Sequence, residues 1–265
     1  MPACVSEALP SRKSVIRSAL LFFTRVFCLT QPGLTMPAPR ARGADREHSA
    51  SKLFPGSVAY ASCRLQDFQE PATLPAELAQ QCRSFSTPRR TQFLCGRWCA
   101  AKALAQLGVA GHVIGRGADA EPVWPAGITG SISHSGDWAV AAVGPSDGQK
   151  SIGLDIERRT RCPKGVWRLV LTEREKRWVH EAGDDATART RSILVFSAKE
   201  AFYKWQFPRS RARLDFLDAD TRPASDGTSL TLDLLSEKVA RVFRKRTFTI
   251  HYTIWDDYLV TGIHQ

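Results

Sequence analysis

Two acids inside an apolar run, Ser151-Ile152-Gly153-Leu154-Asp155-Ile156-Glu157, are the first residues in this chain whose types and spacing suggest chemistry. Side chains along a strand alternate faces, so Asp155 and Glu157 project to the same side. Two carboxylates on one face repel each other and resist desolvation unless a cation lies between them, and a divalent metal is the simplest such cation. Gly153 leaves room for a close neighbour. The pair alone fits equally well with Glu157 lying past the strand end and pairing with Arg158 or Arg159 in solvent.

Three other stretches carry chemistry-bearing side chains. Glu200 and Lys204 stand four apart in Phe196-Ser197-Ala198-Lys199-Glu200-Ala201-Phe202-Tyr203-Lys204 and share a helix face. On an arbitrary helix such a pair is a surface ion pair worth about 0.3–0.5 kcal/mol. Arg90 and Arg97, seven apart, fall nearly on one helix stripe, either as solvated surface or as forked donors aimed at phosphate. Gly127-Ile128-Thr129-Gly130-Ser131-Ile132-Ser133-His134-Ser135-Gly136 reads as a polar loop ahead of a strand. Its small residues and hydroxyls suit an anion, and His134 is either a structural hydrogen-bonding residue or a contact to that anion.

The elements that must position these residues follow from periodicity. Val58 to Leu65 reads as a strand and Leu74 to Cys82 as a short helix. Thr87 and Pro88 open a helix that runs to Gly108, with Phe93, Leu94, Trp98, Ala101, Leu104 and Ala105 at helical spacing. Trp138 to Val143 is a strand, and the Pro145–Gly148 turn predicts that the acid-bearing strand pairs antiparallel with it. Thr172-Glu173-Arg174-Glu175 is a capping box opening a helix that Gly183 ends. A longer helix follows Asp184 and Asp185, with Pro208 beyond it. Ser229 to Leu235, Thr247 to Trp255 and Tyr258 to Ile263 complete the strands, with Asp256-Asp257 as the last hairpin turn. The order is α+β, in two similar halves of a helix and several strands that meet near residue 150.

Composition narrows the class. The chain has 265 residues and a formal net charge of +11, which points to acidic partners without choosing among them. Residues 1–50 read as a disordered extension, with Met36 as an alternative start. They hold seven of the 37 bases and three of the 26 acids, so the remainder still carries +7. The division expected is therefore 1–50, an N-terminal half 51–150 and a C-terminal half 151–265 carrying the metal site. The apolar patch near Ala19 to Phe23 is too short and charged for a membrane span. Seven cysteines without a C-x-x-C pair argue for reduced, cytoplasmic thiols, and Cys95 and Cys99 read as core residues. No Walker loop or G-x-G-x-x-G opening a helix is present.

Taken together, five motifs resemble the 4'-phosphopantetheinyl transferases of the surfactin-activator type, and within them the enterobactin synthase component D group. They are Arg89-Arg90-x-x-Phe93 with Gly96-Arg97, Trp124-Pro125-x-Gly127, Gly130-Ser131-Ile132-Ser133-His134, Gly153-Leu154-Asp155-Ile156-Glu157, and Phe196-Ser197-x-Lys199-Glu200-x-x-Tyr203-Lys204. The resemblance covers about residues 53 to 210, in order.

This resemblance implies a pseudo-twofold α+β fold and transfer of phosphopantetheine from coenzyme A to a serine of an apo acyl or peptidyl carrier protein. It implies Mg²⁺ on Asp155, Glu157 and Glu200, with Glu200 also as base and Lys204 at the developing charge. Arg90, Arg97, Ser133 and His134 would bind coenzyme A. The expected enzyme is a cytoplasmic monomer that activates siderophore, other nonribosomal peptide, polyketide or fatty-acid synthases, without nucleic acid. Ala101, Gln92 and Ala120 depart from the family pattern around the coenzyme A groove. A basic nucleic-acid-binding protein and an inactive carrier-binding module are the alternatives. The core periodicity of the aromatics argues against the first, and the three acids together argue against the second.

Overall fold

Two long helices each cover one face of an antiparallel sheet. The computed structural model describes residues 49–160 and 164–265, all within one compact unit spanning Pro39–Gln265. Expectations for residues 1–48, Met36 included, lie outside the described residues. Ser49 and Ala50, assigned from sequence to the extension, belong to the packed body. Ala50 is fully buried, and the Ser49 hydroxyl is 2.8 Å from that of Thr253.

The first sheet runs in the order β1 (Ala59–Arg64), β3 (Trp138–Pro145), β2 (Ile128–Ser135). After the short helix α1 (Ala76–Gln81), the 20-residue helix α2 (Thr87–Gln106) packs across this sheet. Cys95, Cys99, Ala100, Ala103 and Leu104 meet Ala59, Ala61, Ala139, Ala141 and Val143 in one buried cluster. The small side chains let helix and sheet approach closely. A Cβ at Gly96 would lie 2.8 Å from Ile132 Cγ2.

The second sheet runs β4 (Ile152–Arg158), β8 (Tyr258–His264), β7 (Thr247–Trp255), β6 (Ser229–Leu234), β5 (Ala219–Pro223). The short helices α3 (Trp167–Val170) and α4 (Glu173–His180) lead into α5 (Asp185–Ser210), which covers this sheet. The small helix α6 (Glu237–Phe243) sits between β6 and β7 in sequence. Leu194, Ala198, Ala201, Phe202 and Trp205 of α5 meet Leu230, Leu232, Phe248, Ile250, Leu259 and Ile263. The sheet faces turned from the helices share a third core, in which Tyr60, Val140 and Ala142 meet Ile152, Leu154, Ile156 and Val260. The architecture is thus α+β, a helix on an antiparallel sheet twice over. Among the described residues no helix is long and apolar enough to cross a membrane.

Three sequence expectations are corrected. The acid strand β4 pairs with β8, not with β3, because β1 and β2 already occupy both edges of β3. The polar stretch Gly127–Gly136 is mostly strand β2 rather than loop, its serines alternating with Gly130, Ile132 and His134 as a strand requires. Helix α5 also runs through Pro208 instead of ending before it. Proline this close to a helix end removes only one backbone bond, and Arg211 in the left-handed region then closes the helix by donating to the Phe207 carbonyl. The capping box at Thr172 and Glu175 forms as expected, and the helix it opens stops at His180.

Candidate active site

The acids of β4 face helix α5. Ile152, Leu154 and Ile156 point into the core between the sheets, which leaves Gly153, Asp155 and Glu157 on the opposite side. A Cβ on Gly153 would lie 2.0 Å from the Ala201 carbonyl oxygen, so the glycine is what lets α5 lie directly on β4. The close neighbour is the helix that carries Ser197, Glu200 and Lys204.

Asp155 is buried and its carboxylate is enclosed by three donors from two elements, β2 and α5. Oδ1 accepts from Ser133 Oγ at 2.7 Å and from Lys204 Nζ at 2.7 Å, and Oδ2 accepts from Ser197 Oγ at 2.8 Å. Lys204 Nζ also donates to Ser133 Oγ at 2.9 Å and to the Leu154 carbonyl at 3.2 Å. Glu157 Oε2 accepts from Ser135 Oγ at 2.7 Å. Glu157 therefore sits inside β4 and faces β2, rather than lying past the strand end.

Strand β2 reaches β4 through its serines. Ser131, Ser133 and Ser135 accept from the backbone N–H groups of Leu154, Ile156 and Arg158 at 3.0, 3.4 and 3.3 Å. Edge N–H groups that would otherwise need a partner strand are satisfied by hydroxyls, which in turn donate to the Leu154 carbonyl and the two carboxylates. This ladder joins the two sheets at the acids.

Glu200 completes the group from α5. Its carboxyl is pushed up to about 7, chiefly by burial, against the pull of Lys204 and with a further push from Asp155. Among the described residues its carboxylate accepts no hydrogen bond, and no three His, Cys, Asp or Glu side chains are gathered closely enough to form a ready metal cage. Asp155, Glu200 and Lys204 do lie together between β4 and α5, with Lys204 as the cation on Asp155, and Glu157 follows Asp155 on the same strand face beside Ser135.

A second, basic cluster lies under α2. His134, alternating with the serines, points to the other side of β2, where its Nε2 is 2.5 Å from Arg89 Nη1. Arg97 donates to the Ile114 and Gly115 carbonyls at 2.9 and 3.4 Å and lies over the Phe93 ring. Burial, with Arg116 and Arg89 nearby, brings its guanidinium down to about 10. Arg89 and Arg116 both lie over Phe85. Three guanidiniums beside one histidine form an anion-attracting site. Arg90 points elsewhere, to Glu70 at 2.5 Å and Cys82 Sγ at 3.0 Å. Ser133 and His134, paired in the sequence reading, serve different clusters, and Arg90 stands apart from both.

Sequence reasoning assigned no role to Arg89, Arg116, Ser135 or Ser197. The every-second-residue serines of 131–135 were a readable strand signal pointing to Ser135. Arg116 had none, because only folding brings its loop to Phe85.

The family model described as "4'-phosphopantetheinyl transferase N-terminal domain" matches residues 77–144, and that described as "4'-phosphopantetheinyl transferase superfamily" matches residues 151–261. The chain is 37% identical over 142 residues to the 4'-phosphopantetheinyl transferase Npt of Nocardia iowensis, covering 53% of this chain and 63% of that one. It is 36% identical over 158 residues to PptT of Mycobacterium tuberculosis, covering 60% and 68%. Enterobactin synthase component D of Salmonella typhimurium is 40% identical over 125 residues, covering 46% and 50%. The alignments thus span one half to about two thirds of these relatives.

Proposed function

The chain belongs to the 4'-phosphopantetheinyl transferase superfamily, and on that premise we propose that the face between β4 and α5 transfers phosphopantetheine from coenzyme A to a carrier-protein serine. The observation that supports this reading is the meeting of Asp155 with Glu200 and Lys204, with Glu157 next along the same strand face. In the balanced reaction the serine oxygen bonds to the phosphorus bearing pantetheine, and the bond from that phosphorus to the adenosine-side phosphate breaks. The products are the holo carrier and adenosine 3',5'-bisphosphate.

Glu200, beside Asp155 and Lys204, is placed to take the serine proton directly or through a water. Lys204 stabilises negative charge on the transferred phosphate and the leaving group from its place beside Asp155. Arg89, Arg97, Arg116 and His134 suit the phosphates of coenzyme A, while Arg90 is turned to Glu70 and Cys82 instead. The donor set fits Mg²⁺: Asp155, Glu157 and Glu200 offer hard carboxylate oxygens, and the buried Glu200 accepts no hydrogen bond among the described residues. Bound there, Mg²⁺ would neutralise charge on the pyrophosphate oxygens. Ser133 and Ser135 orient the two β4 carboxylates toward that position.

The test is the mass of purified apo acyl and peptidyl carrier proteins after incubation with this protein, coenzyme A and Mg²⁺. A gain of one phosphopantetheine supports the assignment, and the preferred carrier identifies the synthase served, whether siderophore, polyketide or fatty-acid. Carrier binding without mass gain would support the inactive-module alternative.

A further inference from the structure

We propose that Ser197 is a positioning residue that sets the orientation of the Asp155 carboxylate, an inference resting on the reading of Asp155 as a cation ligand. A serine within a helix commonly turns its hydroxyl back to its own backbone, as Ser192 does toward the Arg189 carbonyl at 2.8 Å. Ser197, on the same helix and fully buried, instead reaches across to Asp155 Oδ2 at 2.8 Å. Behind it stands Thr261, also fully buried, whose Oγ1 lies 2.9 Å from Ser197 Oγ and 2.9 Å from the Ser197 carbonyl oxygen.

The order of donation follows from the protons available. An ionised Asp155 can only accept, so the single hydroxyl proton of Ser197 goes to Oδ2. The Thr261 proton is then directed to the oxygens of Ser197. Thr261 stands directly opposite Asp155 in the β4–β8 register, so strand pairing and helix packing together fix all three groups. With Oδ2 held on the buried side, Oδ1 is turned to Ser133 and Lys204, at the edge shared with Glu200. A partner behind a carboxylate ligand sets its direction and strengthens its hold on the ion.

The experiment measures Mn²⁺ binding calorimetrically, with coenzyme A present and no carrier, alongside the half-saturating Mg²⁺ for turnover and the coenzyme A KM at saturating metal. Ser197→Ala should weaken Mn²⁺ binding about 10- to 100-fold and raise the half-saturating Mg²⁺ to match, with the coenzyme A KM unchanged at saturating metal. Thr261→Val removes a comparable buried hydroxyl yet spares the Ser197–Asp155 bond, and should weaken Mn²⁺ binding less. In an Asp155→Asn background, Ser197→Ala should add little, because the two residues act as one unit. Should the alanine variant not fold, Ser197→Cys keeps the volume with a weak donor and should give an intermediate loss of Mn²⁺ affinity. Unchanged Mn²⁺ affinity in the alanine or cysteine variant, or equal losses in the Ser197 and Thr261 variants, would overturn the proposal. Full transfer by Asp155→Asn would instead remove the metal reading beneath it, so the two failures are distinguishable.

Discussion

Helix α5 carries two lysines five residues apart, each paired with a carboxylate, and the two pairs are built for opposite ends. Lys199 and Glu175 are sealed, at 3% and 0% side-chain exposure. Lys199 Nζ donates to Glu175 Oε2, the Val170 carbonyl and the Phe216 carbonyl at 2.7, 2.9 and 2.8 Å, so all three of its protons are used. Glu175 accepts in addition from the Thr172 N–H, the Thr221 N–H and the Thr221 hydroxyl. Lys204 Nζ also has three acceptors, Asp155, Ser133 and the Leu154 carbonyl, so its pair with Asp155 differs in exposure and in its neighbour rather than in bonding. Lys204 keeps 27% exposure, and beside the pair Glu200 is held as a carboxyl near neutral pH with no hydrogen-bond donor among the described residues. One pair is saturated and locks α3, α4 and β5 to the helix. The other is bonded as fully but is partly open to solvent and lies beside Glu200, a buried carboxyl that accepts no hydrogen bond among the described residues, which is the condition for chemistry.

The sharpest separation should come from removing each lysine. Lys199→Met leaves Glu175 charged and buried, and should cost about 3–5 kcal/mol of unfolding free energy in denaturant titrations. Transfer per folded molecule should stay near wild type. Lys204→Met should do the reverse, lowering turnover about 10²- to 10³-fold while destabilising the fold less than Lys199→Met does. Equal effects of the two variants on both readouts would erase the distinction.

A smaller effect concerns pH. With the Glu200 carboxyl raised to about 7, the folded protein retains a proton that the unfolded chain releases near the ordinary value of 4.5. The folded state then binds more protons across that window, so metal-free stability should fall as pH rises from about 4.5 to about 7 and level off above it. Glu200→Gln should flatten that slope in chemical unfolding measured at a series of pH values. The smallest change should come from Arg90→Gln, which breaks the exposed pair with Glu70. Thermal melting should be unchanged and the coenzyme A KM should rise less than in His134→Ala, which removes a member of the basic cluster.

Much of this site was legible in sequence because it rests on local periodicity. The placing of Asp155 and Glu157 on one strand face, and of Glu200 and Lys204 on one helix face, follows from spacing alone. So does the capping box at Thr172. What spacing could not supply was the partner of each strand. A turn at Pro145–Gly148 favours a hairpin, and only the occupation of both edges of β3 sends β4 to β8. Sequence likewise could not separate Lys199 from Lys204, since Glu175 and Asp155 lie 24 and 49 residues away. The split of Ser133 from His134 follows from the alternation of the serines, which is that of a strand.

The most direct test of the central claim is turnover by Asp155→Asn with Mg²⁺ as the only divalent ion, read as holo-carrier formation by mass spectrometry. The substitution keeps the size of the side chain and an oxygen for one of its hydroxyl donors, while removing the charge that Lys204 now matches and Mg²⁺ would require. The account predicts a folded protein whose transfer rate falls by about 10²-fold or more. Transfer near the wild-type rate would contradict it.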